Sequence, residues 1–233
     1  MHFQHSDQMW AEHPELAAGV VFTTGITPDA DTGPPVARFG ATAEARLATG
    51  SESELPEIQA WRRTFSKMGL KPTQYRCASE ALLRRFRKEG ALPRIHPLID
   101  LCNAVSLAYA IPVAVFDLAE VTGSLEVRHA AGDESYLTFS GETEQPEPGE
   151  VIFADAAGRA HARRWTNRQS GRSAVRDKTA TVLIVAEALH DTAADDVREL
   201  TAALADELAT LWPAKPETAL LSPAAARFEF PAG

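Results

Sequence analysis

The chain has 233 residues, 45% hydrophobic and 24% charged, with a formal net charge of −9, which suits one soluble globular domain spanning residues 1–233. Its longest apolar runs, such as residues 182–186, are far too short to span a bilayer, which excludes a membrane-spanning helix. The opening MHFQHSDQMWAEH has neither the basic nor the apolar region of a secretory signal, and with two cysteines flanked by small or apolar residues it predicts free thiols in a reducing cytoplasm.

In chain order, residues 16–26 read as an opening strand rich in Val, Phe and Thr, followed by a loop over 27–35 broken by Gly33-Pro34-Pro35. A short helix is expected over 39–48 and a clearer one over 56–68, where Ile58, Trp61, Phe65 and Met68 form the apolar face and Gly69 the stop. Ser79 is the expected cap of the next helix, with Leu82, Leu83 and Phe86 inward and Gly90 as its end. His96-Pro97 opens a third helix, because proline fits a first turn at little cost. Leu98, Leu101, Cys102, Val105 and Tyr109 recur along one of its faces, while Asp100, Asn103 and Ser106 share another. Ile111-Pro112 ends it, and Val113, Val115 and Phe116 read as a short buried strand stopped by Asp117.

Strand signals then dominate: 125–129, 135–139, 150–154, 160–165 and 179–187, with Pro146-Glu147-Pro148-Gly149 as the sharpest break. A helix capped by Asp191 or Thr192 runs to about residue 212, with Val197, Leu200, Leu204, Leu208 and Leu211 as its stripe. The Pro- and Ala-rich tail from 213 is expected to lie extended over the surface or to be mobile. Helices first and strands afterwards predict an α+β fold, with a mixed or antiparallel sheet packed against a layer of helices.

Net acidity argues against a nucleic-acid partner, but 17 of the 23 Lys and Arg residues fall within 62–94 and 159–178. A phosphate backbone responds to local potential, so Arg84, Arg85, Arg87, Arg163 and Arg164 are candidate RNA contacts. Solvated helix and strand faces are the plainer account of the same charges. There is no Gly-rich phosphate loop, G-x-S-x-G elbow or H-E-x-x-H, and no two of the seven histidines have metal-ligand spacing.

The segment RIHPLIDLCNAVSLAYAIPVAVFD resembles the B3/B4 domain of the phenylalanyl-tRNA synthetase β-subunit, whose pattern is roughly N-x-V-V-D-x-T-N-Y-V-x-x-E-x-x-Q-P-x-H-A-F-D. Asp100, Asn103, Pro112, Phe116 and Asp117 match it without a gap. Three further pieces follow in the same order. Gly123-x-Leu125-x-Val127-Arg128-x-Ala130, continued by Gly132-Asp133-Glu134 and Leu137-Thr138, is similar to g-x-I-x-V-R-x-A and g-E-x-L-x-T-L. Ser173-Ala174-Val175-Arg176-Asp177-Lys178-Thr179 is similar to S-x-V-R-x-x-T, and the strand after it reaches Glu187 as the family's reaches L-E-x-A, two residues later than the pattern. The likeness covers about residues 70–189.

In that family the domain hydrolyses the ester of a wrongly charged tRNA. The resemblance therefore implies a stand-alone hydrolase of mischarged aminoacyl-tRNA, with tRNA as partner and no metal or organic cofactor; the chain lacks room for a complete synthetase. It implies Glu187 as the catalytic group, holding the substrate's ammonium or orienting water, where residue chemistry alone allows an exposed strand-end carboxylate. Arg168 and Arg172 fall beside the implied pocket as binders of phosphate or carboxylate, or else in a surface loop. Asp117 either lines the pocket or caps a turn. Asn103, like Asp100, either bonds strand backbone or reaches substrate, and His96 either caps its helix or does the same. Two departures stand out: Ala114 replaces the histidine that reads a tyrosyl hydroxyl, and Thr166-Asn167-Arg168-Gln169-Ser170 replaces G-V-M-G-G. Without the polar reader, a smaller or apolar amino acid is expected. Two other functions fit the same residues: a non-catalytic RNA-binding module, and a hydrolase or binder of a small amino-acid derivative.

Overall fold

The computed structural model describes residues 1–231. From the N-terminus run β1 (His2–His5), α1 (Asp7–Glu12), β2 (Ala17–Thr24), α2 (Gly33–Leu47), α3 (Pro56–Lys67), α4 (Ala78–Glu89) and α5 (Pro97–Tyr109). There follow β3 (Val113–Asp117), β4 (Ser124–His129), β5 (Ser135–Leu137), β6 (Thr143–Glu144), β7 (Val151–Asp155), β8 (Arg159–Arg163), β9 (Arg168–Gln169) and β10 (Thr181–Ala188). Helix α6 (Ala193–Leu211) and two strands of the tail, β11 (Glu217–Leu221) and β12 (Arg227–Glu229), complete the chain.

The strands form two sheets. One is antiparallel, in the order β11-β2-β10-β3; the other is mixed, in the order β12-β1-β4-β7-β8-β5-β6 with β9 beside β8, its parallel pairs being β1 with β4 and β5 with β8. The fold is therefore α+β with a mixed sheet, as the order of helices and strands predicts. Strand β10 is buried on both faces, which is why it reads as an almost unbroken apolar run. Side chains alternate along it. Val182, Ile184 and Ala186 pack in the core under α5 and α6, while Leu183 and Val185 turn to the second core, shared with the mixed sheet. That parity sends Glu187 into the space between the sheets.

Several boundaries differ from the expectation, each for a local reason. Strand β1 and helix α1 were not foreseen; the four residues of β1 bury only Phe3 and His5, too few for a visible period. Helix α2 begins at Gly33, because prolines that read as breakers sit comfortably in a first turn. The cap of α4 is Cys77 and not Ser79. The tail contributes a strand to each sheet, β11 on β2 and β12 on β1. Both cysteines are free and buried; burial pushes the Cys77 thiol up to about 12 and raises that of Cys102 as well, so neither offers a thiolate near neutrality. Among the described residues no helix is long and apolar enough to cross a membrane.

Where β2 passes beneath α6, only glycine fits. A Cβ on Gly19 would lie 2.5 Å from Thr201 Cγ2 and 2.6 Å from Val197 Cγ1. Gly19→Ala should therefore destabilise the protein by about 1–3 kcal/mol in urea unfolding, the scale of core overpacking. A parent-like midpoint would mean that α6 can shift on the sheet at no cost.

Candidate functional site

Three segments converge between the sheets. Strand β10 brings Val185 and Glu187, the start of β3 brings Pro112, Val113 and Ala114, and the turn from β8 to β9 brings Trp165 through Gln169. With Ala78, Phe153 and Ala162 they line a cavity of about 60 Å³. Ala114 lies directly across from Val185 in the antiparallel register, so it and Glu187 share one face. The strand-end position two residues beyond the family pattern keeps Glu187 on that face, because side-chain direction repeats every second residue.

Glu187 is 2% exposed and needs compensation for its charge. Oε1 accepts a hydrogen bond from the indole N–H of Trp165 at 2.9 Å and another from the ring N–H of His5 at 2.6 Å. Among the described residues no second partner occupies Oε2. The His5 ring is packed against Phe3 and Trp10, with centroids 5.3 and 5.0 Å away, and its Nδ1 is buried without a partner. Trp165 is fully buried, edge-on to Trp61 and against His13. It follows Arg164, and both are left-handed, with φ of 57° and 48°, a conformation that stops β8 and swings the indole under the carboxylate. Sequence reasoning missed His5 and Trp165. The four residues of β1 are too few to show a period that would mark the first, and nothing local marks the second.

Of the expected site residues, Arg168 shares the cavity lining with Glu187, although its exposed guanidinium pairs with Glu144 at 3.0 Å and lies over the Tyr136 ring. The others are elsewhere. Asp117 sits at the far end of β3 in the opposite parity, accepting from Thr179 Oγ1 at 2.6 Å and from Ala119 N at 3.1 Å. His96 caps α5, its Nδ1 accepting from Leu98 N at 3.2 Å. Among the described residues Asn103 bonds no strand backbone; it lines a separate cavity of about 340 Å³ between α2, α4 and α5. Asp100 instead accepts from Ile95 N at 2.9 Å. Arg172 does not reach the Glu187 cavity; its backbone N–H donates to Ser170 Oγ at 3.2 Å.

The expected RNA contacts are largely engaged with carboxylates. Arg84 and Arg87 approach buried Glu52 at 3.8 and 3.0 Å, and Arg85 pairs with Glu89 at 2.9 Å. Arg163 is buried, holding Glu150 through two nitrogens at 2.9 and 2.8 Å and Glu144 at 2.7 Å, so it is closed to a phosphate. Arg164 lies over the Tyr75 ring at 4.9 Å, beside an open groove of about 620 Å³.

Two further clusters carry suggestive chemistry. Glu57, His190 and Asp196 bring ligand atoms within 4.8 Å of one another. Arg46 already pairs with Glu57 at 2.6 Å, and each carboxylate sits in the first turn of a helix, α3 and α6, whose positive end it faces. Glu57 Oε2 and His190 Nδ1 are nonetheless buried without a hydrogen-bond partner. Ser173 Oγ and His161 Nδ1 lie 2.9 Å apart, with His161 Nε2 3.4 Å from Asp155 Oδ2, an order reminiscent of a nucleophile, base and orienter. All three are buried and line none of the cavities described above; they join β7 and β8 of the mixed sheet to the loop after β9 and are not placed to meet a substrate.

A model of the B3/4 domain matches residues 60–203, more than half of the chain. The chain belongs to the B3/4 domain family. The phenylalanine–tRNA ligase β-subunit of Cereibacter sphaeroides is 36% identical over 76 residues, 33% of this chain and 9% of that subunit. That of Chromobacterium violaceum is 32% identical over 77 residues, again 33% of this chain and 10% of the subunit. The matches thus span about a tenth of these relatives' length. A crystal structure of an N-terminal fragment of the phenylalanyl-tRNA synthetase β-subunit from Pyrococcus horikoshii aligns with 92% of this chain and 49% of its own, at 10% identity and a TM-score of 0.49, too loose a likeness to carry weight. The residues lining the cavity around Glu187 all lie within the matched residues, whereas His5, which bonds Glu187, comes from outside them.

Asp155 supplies a pH test of the mixed sheet's packing. Burial pushes its carboxyl up, but the His161 ring 3.4 Å away and bonds from the Arg159 and Thr122 backbone outweigh that and hold it at about 2, below its ordinary 3.8. A depressed carboxyl stabilises the fold above its unfolded value and loses that contribution as pH falls through the folded one. The contribution is roughly 2 kcal/mol, about half of it gone by pH 3. Urea unfolding at pH 6 and pH 3 should show Asp155→Asn less stable than the parent at pH 6, with the gap narrowing at pH 3. A gap independent of pH would contradict this.

Proposed function

We propose that the chain is a trans-acting deacylase that clears mischarged aminoacyl-tRNA by hydrolysing its ester. The observation that carries the reading is the buried carboxylate of Glu187, facing a cavity built from the same segments that resemble the family's editing pocket. An aminoacyl ester is already activated, so hydrolysis needs chiefly a positioned water and a held substrate. Bonds from His5 and Trp165 fix one oxygen of Glu187, and the other is available to the substrate's α-ammonium. Water adds to the ester carbon, the bond to the ribose oxygen breaks, and the free amino acid and the tRNA hydroxyl leave. The ammonium so anchored places the carbonyl at the cavity mouth, where solvent supplies the nucleophile.

The pairing of Arg84, Arg85, Arg87 and Arg163 with carboxylates, together with the net charge of −9, favours as second reading a small amino-acid ester as substrate without RNA. Salt-dependent tRNA binding separates the two.

On the first reading, wild-type protein incubated with a panel of charged tRNAs should strip the ester from at least one. Glu187→Gln, which keeps shape and loses charge, should slow that reaction by about 10²-fold while leaving tRNA affinity nearly intact. Parent-like turnover by Glu187→Gln would remove Glu187 from the mechanism, and a panel left fully charged would remove the hydrolase itself.

A further inference from the structure

Just past the end of β10 the fold leaves two polar atoms unmet. The strand runs out at Ala188, and His190 follows, three residues beyond Glu187. His190 is 6% exposed, and so is Glu57, the second residue of α3. Each is held on one side only. Nε2 of His190 meets Asp196 Oδ2 at 2.7 Å, and Glu57 Oε1 accepts from Arg46 at 2.6 Å. Nδ1 of the one and Oε2 of the other are buried with no partner. Polar atoms orphaned at this depth are costly until something binds them.

The two residues with unmet atoms do not meet each other. Among the described residues Glu57 and His190 share no hydrogen bond or ion pair. Even so, one ligand atom from each and one from Asp196 all lie within 4.8 Å of one another. Zinc bonds of about 2.0–2.2 Å to oxygen and nitrogen span roughly 4 Å between two ligands, so shifts below about 1 Å would close the three side chains on an ion. The helix N-termini and Arg46 favour both carboxylates ionised, the form a metal takes. Burial pushes the Asp196 carboxyl up, but bonds from Thr192 and His190 outweigh that and hold it below its ordinary range. Counted with Arg46, the two carboxylates still leave one negative charge over. Arg46 on Glu57, and Thr192 on Asp196 at 2.6 Å, orient the ligands as outer partners of metal sites do. The Asp196 side chain is 33% exposed, which gives an ion its way in and lets water complete the coordination.

We propose that Glu57, His190 and Asp196 form a zinc site that pins the end of β10 to the first turns of α3 and α6. One imidazole with two carboxylates suits Zn²⁺, whereas an all-oxygen set would suit Mg²⁺ or Ca²⁺. None of the three lines the Glu187 cavity, so the site is structural and stands apart from hydrolysis. It bears on that cavity through packing alone: Trp61 of α3 lies edge-on to Trp165, which holds Glu187. The ligands come from positions 57, 190 and 196, so no short motif marks the site.

The test is calorimetric titration of zinc chloride into the full chain after dialysis against a chelator, beside thermal unfolding with and without the metal. One zinc should bind per chain, and the unfolding midpoint should rise as zinc is added. Magnesium at the same concentration should leave the midpoint where it was. Glu57→Gln keeps the shape of the side chain and its bond to Arg46, and Asp196→Asn alters a partly exposed group, so both variants should fold. Each should weaken zinc binding by at least about tenfold and blunt the rise in midpoint. A midpoint indifferent to zinc would overturn the proposal. So would parent-like zinc affinity in both variants, which would put the ion on another histidine, or a response to magnesium equal to that for zinc.

Discussion

Everything at the site depends on one buried carboxylate. Glu187 ends a strand that is covered on both faces, so an ionised side chain there would be expensive in isolation. The hydrogen bonds from His5 and Trp165 offset that cost, and they do so from opposite parts of the chain, 182 and 22 residues away. The consequence is mechanical as well as electrostatic. The mixed sheet delivers both donors to a residue of the antiparallel sheet, and the cavity is what remains between the sheets once those bonds are made.

The turn that delivers Trp165 is strained. Two successive residues other than glycine in the left-handed region cost about 1–2 kcal/mol each. The surroundings hold them there: the Arg164 amide donates to Glu150 at 3.0 Å, its guanidinium rests on Tyr75, and the Trp165 amide reaches Val151. Such strain is retained where a side chain must be aimed. Here it aims the indole at Glu187 and leaves Thr166 as the next residue along the cavity wall.

Much of this fold is legible in the sequence. Helices α3, α4, α5 and α6 carry apolar stripes at helical spacing with glycine, proline or polar ends, and β10 declares itself by its apolar run. The inward direction of Glu187 follows from the period of that strand. What was hidden depends on tertiary partners. Pro34 and Pro35 read as breakers until they are seen to open α2, and the Pro/Ala-rich tail reveals no strand until β1 and β2 offer it an edge. Arg163 looks like a surface cation in a basic run, yet it is enclosed by Glu144 and Glu150, which a charge count cannot show. His5 has no sequence neighbour that hints at its role.

The most direct measurement is a crystal structure of the chain with a stable amide of an aminoacyl-adenosine bound. The account predicts the ligand's ammonium within about 3 Å of Glu187 and its side chain against Ala114, with the His5 and Trp165 bonds intact. A ligand seated instead in the cavity lined by Asn103, or in the groove beside Tyr75, with Glu187 untouched, would contradict it.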